Sequence, residues 1–422
     1  MEPGVTQHDL DTFLQTHGLR YLVPTTGVGP NGNLLGNALD GGYGLTPVAD
    51  HFEAFSVLEG VWGNGEEFSH NFSSLGCDDM ARRWSAGLGP SVNGLLRQGC
   101  FGIVTRGTIH LARAPEACAV LVLEWKSDES FFGSQAEMSK LTEELPLLGG
   151  VISMNGPRVL STMADVPLTS PLKGQERLAY FERLCKEREV AAWTGVGTLY
   201  GPRATVSAAV SDIRRRLPGV RVWAFNPSQI KWLDRLSRLA PASWFSAKRR
   251  HLGALKNMVG TVEGRPITAF LRIAYALEPR VPPMDVHRHP ARDGQGILWF
   301  APLVPLTQKG VELYAERMAE VLVAHGFDPL LAVTTRSSRV HSGTIPLLFR
   351  KTEQDIQRAK ACYEALARTS LSLGMPPYRI GVDYMHLTWP KDSQAQMWRT
   401  LQQALDPAAV MLPGRYLAPQ GE

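Results

Sequence analysis

No stretch of this sequence stays apolar for the ~18 residues a bilayer-spanning helix requires. The best runs, residues 117–123 and 268–277, are of core length, so no membrane partner is expected. The N-terminus (Met1, Glu2, Pro3, Gly4, Val5, Thr6) lacks both a basic region and an apolar segment, so no secretory signal is visible and a cytoplasmic location is expected. The five cysteines (Cys77, Cys100, Cys118, Cys185, Cys362) include no C-x-x-C pair, which excludes a zinc ribbon or a thioredoxin-type motif and predicts reduced, buried thiols. No charge sign dominates, with Lys+Arg 44 against Asp+Glu 40 and a net charge of +4. The dense basic runs, Arg214-Arg215-Arg216 and Lys248-Arg249-Arg250-His251, fall in helix-like stretches and read as solvated faces, so no nucleic-acid partner is expected. Internal repeats are also missing. What remains is a globular composition, 44% apolar and 20% charged, over 422 residues, enough for two or three domains.

Glycine, by contrast, is concentrated. Residues 26–44 hold seven glycines, where the chain average of 40 in 422 would give about two. Such a run permits positive φ angles and close approach of main chain to a flat or phosphorylated ligand. Within it Gly27-Val28-Gly29-Pro30-Asn31-Gly32 spells G-x-G-x-x-G, with Asp50 about twenty residues on. A dinucleotide turn of that kind must end a strand and open a helix, whereas Pro24, Pro30 and the later glycines interrupt both. The expectation is a loop lying against some other cofactor, or a loop serving structure alone.

Residues 54–61, 100–111 and 119–124 read as strands. Helical periodicity follows over 129–148, 174–189, 204–217, 309–325 and 353–373, with strands over 297–304, 330–335 and 345–349. This order lacks a βαβ rhythm and predicts an α+β fold. The Pro-rich stretch 278–296 reads as an exposed connection or insertion. Inside it Asp285, His287, His289 and Asp293 have the side-chain types of a metal site, but Pro282, Pro283 and Pro290 spoil a regular strand, so an exposed polar loop and no metal are expected. Tyr378-Arg379 sets a phenol beside a fixed cation.

These pieces together carry a resemblance. Glu2-Pro3-Gly4-Val5-Thr6 and the run 34–52 (LLGNALDGGYGLTPVADHF) are followed in order by Gly102 to Thr105, Thr198 to Pro202, Pro218 to Val220, Trp299 to Pro302, Pro377-Tyr378-Arg379, Asp406-Pro407 and Leu412 to Arg415. The series resembles the vanillyl-alcohol oxidase and 4-cresol dehydrogenase family from residue 2 to about 416. The resemblance implies a split FAD-binding domain, residues 1–115 plus 377–422, incomplete at its N-terminus, and an α+β cap with an antiparallel sheet, residues 116–376. It implies that Gly32, Asn33, Gly36, Asn37 and Gly44 contact the flavin and pyrophosphate region. Ile103 and Val104 would meet the adenine half through main-chain atoms, and Arg415 would lie near the ring. Tyr378 and Arg379 would hold a substrate phenolate, because a cation and a phenol donor stabilise that anion. Electron density pushed to the para carbon then favours hydride departure to flavin N5, through a quinone methide.

The implied function is FAD-dependent oxidation of a para-substituted phenol or related alcohol, with oxygen or a cytochrome as acceptor and possible self-association. The alternatives are a degenerate non-enzymatic remnant and a flavoenzyme for a non-phenolic hydroxy acid or lactone. Three departures accompany the resemblance. No acid stands between Pro24 and Leu39, where the family's oxidases place one beside N5; Val28 or Thr25 takes that position, and Leu45 replaces a tyrosine. Ile297 stands where one branch has its flavin-linking histidine, and ungapped counting puts His289 at the other branch's linking tyrosine, so non-covalent FAD is expected, with His289 the alternative link. The resemblance also starts well inside the family's flavin domain, with Met1 where a valine is common, as a misplaced start at a GTG codon would produce.

Overall fold

The computed structural model describes residues 1–145, 148–163, 174–239, 255, 258–278, 283, 288–412 and 414–419. Two antiparallel sheets organise them. β1 (Phe55–Trp62), β2 (Glu67–Phe68) and β3 (Gly102–Ile109) form a small sheet in the order β2-β1-β3. β4 (Ala117–Trp125), β5 (Ile152–Asn155), β6 (Trp193–Gly201), β7 (Arg221–Phe225), β8 (Gln295–Phe300), β9 (Leu303–Pro305), β10 (Ala332–Thr335) and β11 (Val340–Arg350) form the large one. Its order is β7-β4-β6-β5-β10-β11-β8, with β9 also paired to β11. Every pairing is antiparallel, so the fold is α+β as the element order predicts. Antiparallel ladders leave no βαβ unit, and the G-x-G-x-x-G run is accordingly not a Rossmann turn.

The period-2 alternation of the large sheet sends its two faces to different partners. Leu121, Leu123, Val333, Ile345, Leu347 and Phe300 point into a core closed by the helices Arg203–Arg216, Gln308–Ala324 and Glu353–Ser372. Phe131 stacks on Trp193 at 4.1 Å there and meets Trp125 edge-on at 5.0 Å. On the opposite face Val120, Ile152, Val196 and Tyr200 pack with Leu45 of the glycine-rich segment, and Ile297 and Leu348 pack with Leu160. One face is therefore a helix-backed core, and the other is where the glycine-rich segment docks.

Two elements break where the sequence pattern runs on. The helical period over 129–148 is split into Asp128–Gly133 and Gln135–Glu144 at Ser134, whose hydroxyl accepts from Trp125 Nε1 at 3.0 Å and donates to the Phe131 carbonyl. The strand over 297–304 becomes β8 and β9 because Pro302 has no N–H for the ladder; its carbonyl accepts from Gly343 N at 2.7 Å. The helix Gln308–Ala324 ends as expected at Gly326, which sits at φ +72°.

Far along the chain, the helix Ser393–Leu405 lays Trp398, Leu401 and Leu405 on the core of the small sheet, with Trp398 stacked 5.8 Å from Phe101. All five thiols are free, but only Cys100 and Cys362 are buried; Cys118 and Cys185 are partly buried, and Cys77 is exposed because it precedes the short polar helix Asp78–Ala81 in a surface turn. Of the two basic runs, Arg216 is tied to Glu137, Glu144 and Asp212, whereas residues 248–251 lie outside the described residues. Among the described residues, no helix is long and apolar enough to cross a membrane.

Candidate active site

The glycine-rich segment is held by its own hydrogen bonds before any ligand is considered. Buried Gln7, at the start of the helix Gln7–Thr16, accepts from Thr26 N at 3.0 Å and donates to Thr26 Oγ1 at 2.9 Å. Its backbone N–H donates to the Gly32 carbonyl at 2.9 Å. Asn33 caps the helix Leu34–Leu39 by accepting from Gly36 N. Asn37 Oδ1 lies 3.0 Å from His51 Nδ1. Several glycines leave no room for a Cβ here. A Cβ on Gly32 would come 2.1 Å from Val28 Cγ2, and one on Gly44 would come 2.5 Å from the Thr25 carbonyl and 2.8 Å from His51 Nε2.

This tight packing leaves polar atoms unused. Thr25 Oγ1 and His51 Nε2 are buried without a partner. Burial holds the His51 imidazole down at about 4, so the ring is neutral at pH 7. With Nδ1 donating to Asn37, Nε2 is an acceptor with nothing to accept from. Buried, unsatisfied polar atoms normally mark a missing ligand or water.

The expected substrate pair sits at the seam between this segment and the large sheet. Pro377 bridges to Pro302, Tyr378 N donates to the Ala301 carbonyl at 3.2 Å, and the Tyr378 carbonyl accepts from Gln98 Nε2 at 2.9 Å. The Tyr378 backbone is thus clamped from both sides, while no residue among those described bonds its hydroxyl. Arg379 reaches Asp40 at 3.5 Å, and Arg415 reaches the other oxygen of the same carboxylate at 3.5 Å. Tyr378, Arg379 and Arg415 therefore belong to one cluster, joined by an acid immediately beyond the acid-free stretch that ends at Leu39.

Ile103 and Val104 lie on β3, the outer strand of the small sheet, with Ile103 exposed and Val104 buried in the core. Ladder groups on the free side of an outer strand are open to a ligand, which suits main-chain contact. Val28 is half exposed at the segment's surface, whereas Thr25 is buried. His289 is exposed within the Pro-rich stretch, with Nδ1 accepting from Arg292 N at 3.2 Å. Asp293 accepts from Tyr275 Oη at 2.7 Å, and Asp285 and His287 lie outside the described residues. Among the described residues, no group of His, Cys, Asp or Glu is arranged to hold a metal.

Sequence reasoning missed three members of the cluster. Asp40 and Tyr43 stand inside the glycine-rich run, and their charge and ring were the available signal. Arg336 follows β10 in a turn and had none. Its guanidinium lies 4.0 Å from the Tyr378 ring and 4.4 Å from the Tyr43 ring, and its backbone carbonyl accepts from Tyr43 Oη at 3.1 Å.

The residues present fit a flavin nucleotide. The main chain is bared by tightly packed glycines, unpartnered polar atoms flank Gly44, and three guanidinium groups gathered around Tyr378 and Asp40 could offset the negative charge a reduced flavin develops.

No family model matches the chain. It is 28% identical over 433 residues to the 1'-carboxy-chondrochloren decarboxylase of Chondromyces crocatus, covering 99% of this chain and 77% of that protein. It is 21% identical to the 4-cresol dehydrogenase [hydroxylating] flavoprotein subunit of Pseudomonas putida, covering 98% and 74%. Among solved structures, p-cresol methylhydroxylase with substrate bound superposes with a TM-score of 0.80 at 18% identity, covering 100% of this chain and 76% of the other.

Proposed function

We propose, on the premise that this chain is an FAD-linked enzyme related over its whole length to the vanillyl-alcohol oxidase and 4-cresol dehydrogenase flavoproteins, that it oxidises a para-substituted phenol. The observation that carries the reading is the environment of Tyr378. Its backbone is clamped, its hydroxyl has no partner among the described residues, and guanidinium groups lie 4.0 and 5.2 Å from its ring. Such a phenol donor beside Arg379 holds a substrate oxygen as the anion, which raises electron density at the para carbon. Bound FAD supplies the two-electron acceptor.

The chain's own groups then have separable tasks. Tyr378 and Arg379 bind and orient the phenolate. Arg415, sharing Asp40 with Arg379, offsets charge on the cofactor side. Gly32, Asn33, Gly36, Asn37 and Gly44 bare the main chain to the cofactor, and Ile103 and Val104 offer strand-edge groups to its adenine half. We assign residues 1–115 and 377–422 to cofactor binding and 116–376 to the cap, with FAD held non-covalently. The electron acceptor is oxygen or a cytochrome, by analogy with the family.

A second reading within the same class, a phenol whose side chain bears a carboxylate, is suggested by the decarboxylase among the relatives and favoured by Arg336, which forms no direct ion pair among the described residues.

The deciding measurement is anaerobic bleaching of bound flavin by a 4-alkylphenol. The native chain is expected to bleach, and Tyr378→Phe and Arg379→Ala are each expected to slow bleaching by on the order of a hundredfold. Unchanged rates in both variants would remove the phenolate assignment. A colourless supernatant above a yellow acid-precipitated pellet would show a covalent flavin.

A further inference from the structure

Three guanidinium groups gather around Tyr378 and Asp40, and they are not equivalent. Arg379 and Arg415 share the Asp40 carboxylate. Arg336 forms no ion pair and donates no side-chain hydrogen bond among the described residues. Its Nε is buried without a partner, and its guanidinium is held between the Tyr43 and Tyr378 rings at 4.4 and 4.0 Å. Aromatic faces, rather than a carboxylate, therefore set its position.

The carboxylate that acts on Arg336, Asp50, is itself paired with Arg97 at 2.9 Å, and a half-buried cation without a direct ion pair is costly unless an anion arrives to share the site. Burial already disfavours its charge, pulling its pKa below the usual arginine value. The terminal edge of a guanidinium presents two parallel N–H donors that match a carboxylate, and the rings on either side fix that edge in advance. The phenol oxygen of a substrate is served by Tyr378 and Arg379. The anion suited to Arg336 therefore belongs to another part of the same molecule.

We propose that Arg336 receives a carboxylate on the para side chain of the substrate, so that the site selects hydroxyphenyl alkanoic acids over neutral alkylphenols. The inference rests on the phenol reading of Tyr378 and Arg379.

A matched pair of ligands without a benzylic hydrogen tests binding apart from turnover: 2-(4-hydroxyphenyl)-2-methylpropionate and 4-tert-butylphenol. Calorimetric titration of the full chain as purified is expected to show the acid binding about tenfold or more tighter, the equivalent of one charge-assisted hydrogen bond. Arg336→Gln is expected to erase that advantage, read as the ratio of the two ligands' affinities in the same variant. Arg336→Lys keeps the charge without the fork and is expected to lose most of the advantage, so it carries the test if the glutamine variant does not fold. Tyr378→Phe should weaken both ligands alike. Equal affinity for the two ligands in the native chain, or an acid preference that survives both Arg336 variants, overturns the assignment and leaves the phenol reading standing. Failure of both phenols to bind the native chain overturns both.

Discussion

The two faces of the large sheet are stabilised in different ways. The helix-backed face is a packed apolar core in which Trp125, Trp193 and Phe131 are fully buried and make ring contacts with one another. Even its buried histidine, His341, has a side-chain partner, Gln135 Oε1 at 2.9 Å. The face toward the glycine-rich segment relies instead on specific hydrogen bonds and on glycines that admit no Cβ. There, or beside it, Thr25 Oγ1, His51 Nε2 and Arg336 Nε remain unsatisfied. Apolar burial has no direction and can seal a core completely. Hydrogen bonds are directional, and the groups left over mark where the protein is built to meet something else. Further leftovers lie elsewhere, at Arg158, Thr261 Oγ1 and His341 Nδ1, but they are not gathered around one phenol.

The sharpest break in this comparison is Trp193→Ala. It removes a ring stacked at 4.1 Å on Phe131 and should cost about 3–5 kcal/mol in denaturant titration, with no selective effect on flavin content per folded molecule.

Acid probes both faces at once. Burial lowers His51 to about 4 and His341 to about 3, each from an ordinary value near 6.5. The unfolded chain therefore binds the extra protons first as pH falls. The stabilisation is complete above about 6.5 and is lost progressively down to about 4 for His51 and about 3 for His341. His51 alone should account for roughly 3 kcal/mol across its window. The slope of stability against pH between 6.5 and 4 should flatten in His51→Gln, and equal slopes would refute the burial argument.

Gly44→Ala should cost about 1–3 kcal/mol through overpacking against the Thr25 carbonyl, and it should lower flavin retention out of proportion to stability. Dialysis of the variant against buffer, followed by absorbance, would show this. The smallest effect is expected at the contact between the two regions. Thr198 Oγ1 donates to the Leu45 carbonyl at 2.7 Å, and Thr198→Val should cost about 1–2 kcal/mol, read from thermal unfolding.

Much of the secondary structure was legible because burial imposes periodicity. Residues 353–373 read as a helix and form one over Glu353–Ser372, and residues 119–124 sit inside β4. Errors fell where a single polar or imino group overrides the pattern, at Ser134 and Pro302. Tyr378, Arg379 and Arg415 were legible through the order of short motifs along the chain. Asn33 and Asn37 were read as ligand contacts, and their side-chain oxygens also serve the segment itself, as a helix cap and as the partner of His51. Arg336 was not legible, because a lone arginine in a turn has no local signature.

The sequence by itself determined the α+β class, the concentration of glycine that shapes the loop, and the residue types of the Tyr378, Arg379 and Arg415 cluster. These follow from local chemistry: period, backbone freedom and side-chain charge. Only the tertiary structure decided which charges meet. Asp40 lies 339 positions before Arg379 and 375 before Arg415, and Tyr43 meets Arg336 across 293. Pairings at such separations depend on how the sheet brings its edges together, and no local pattern in the chain encodes that.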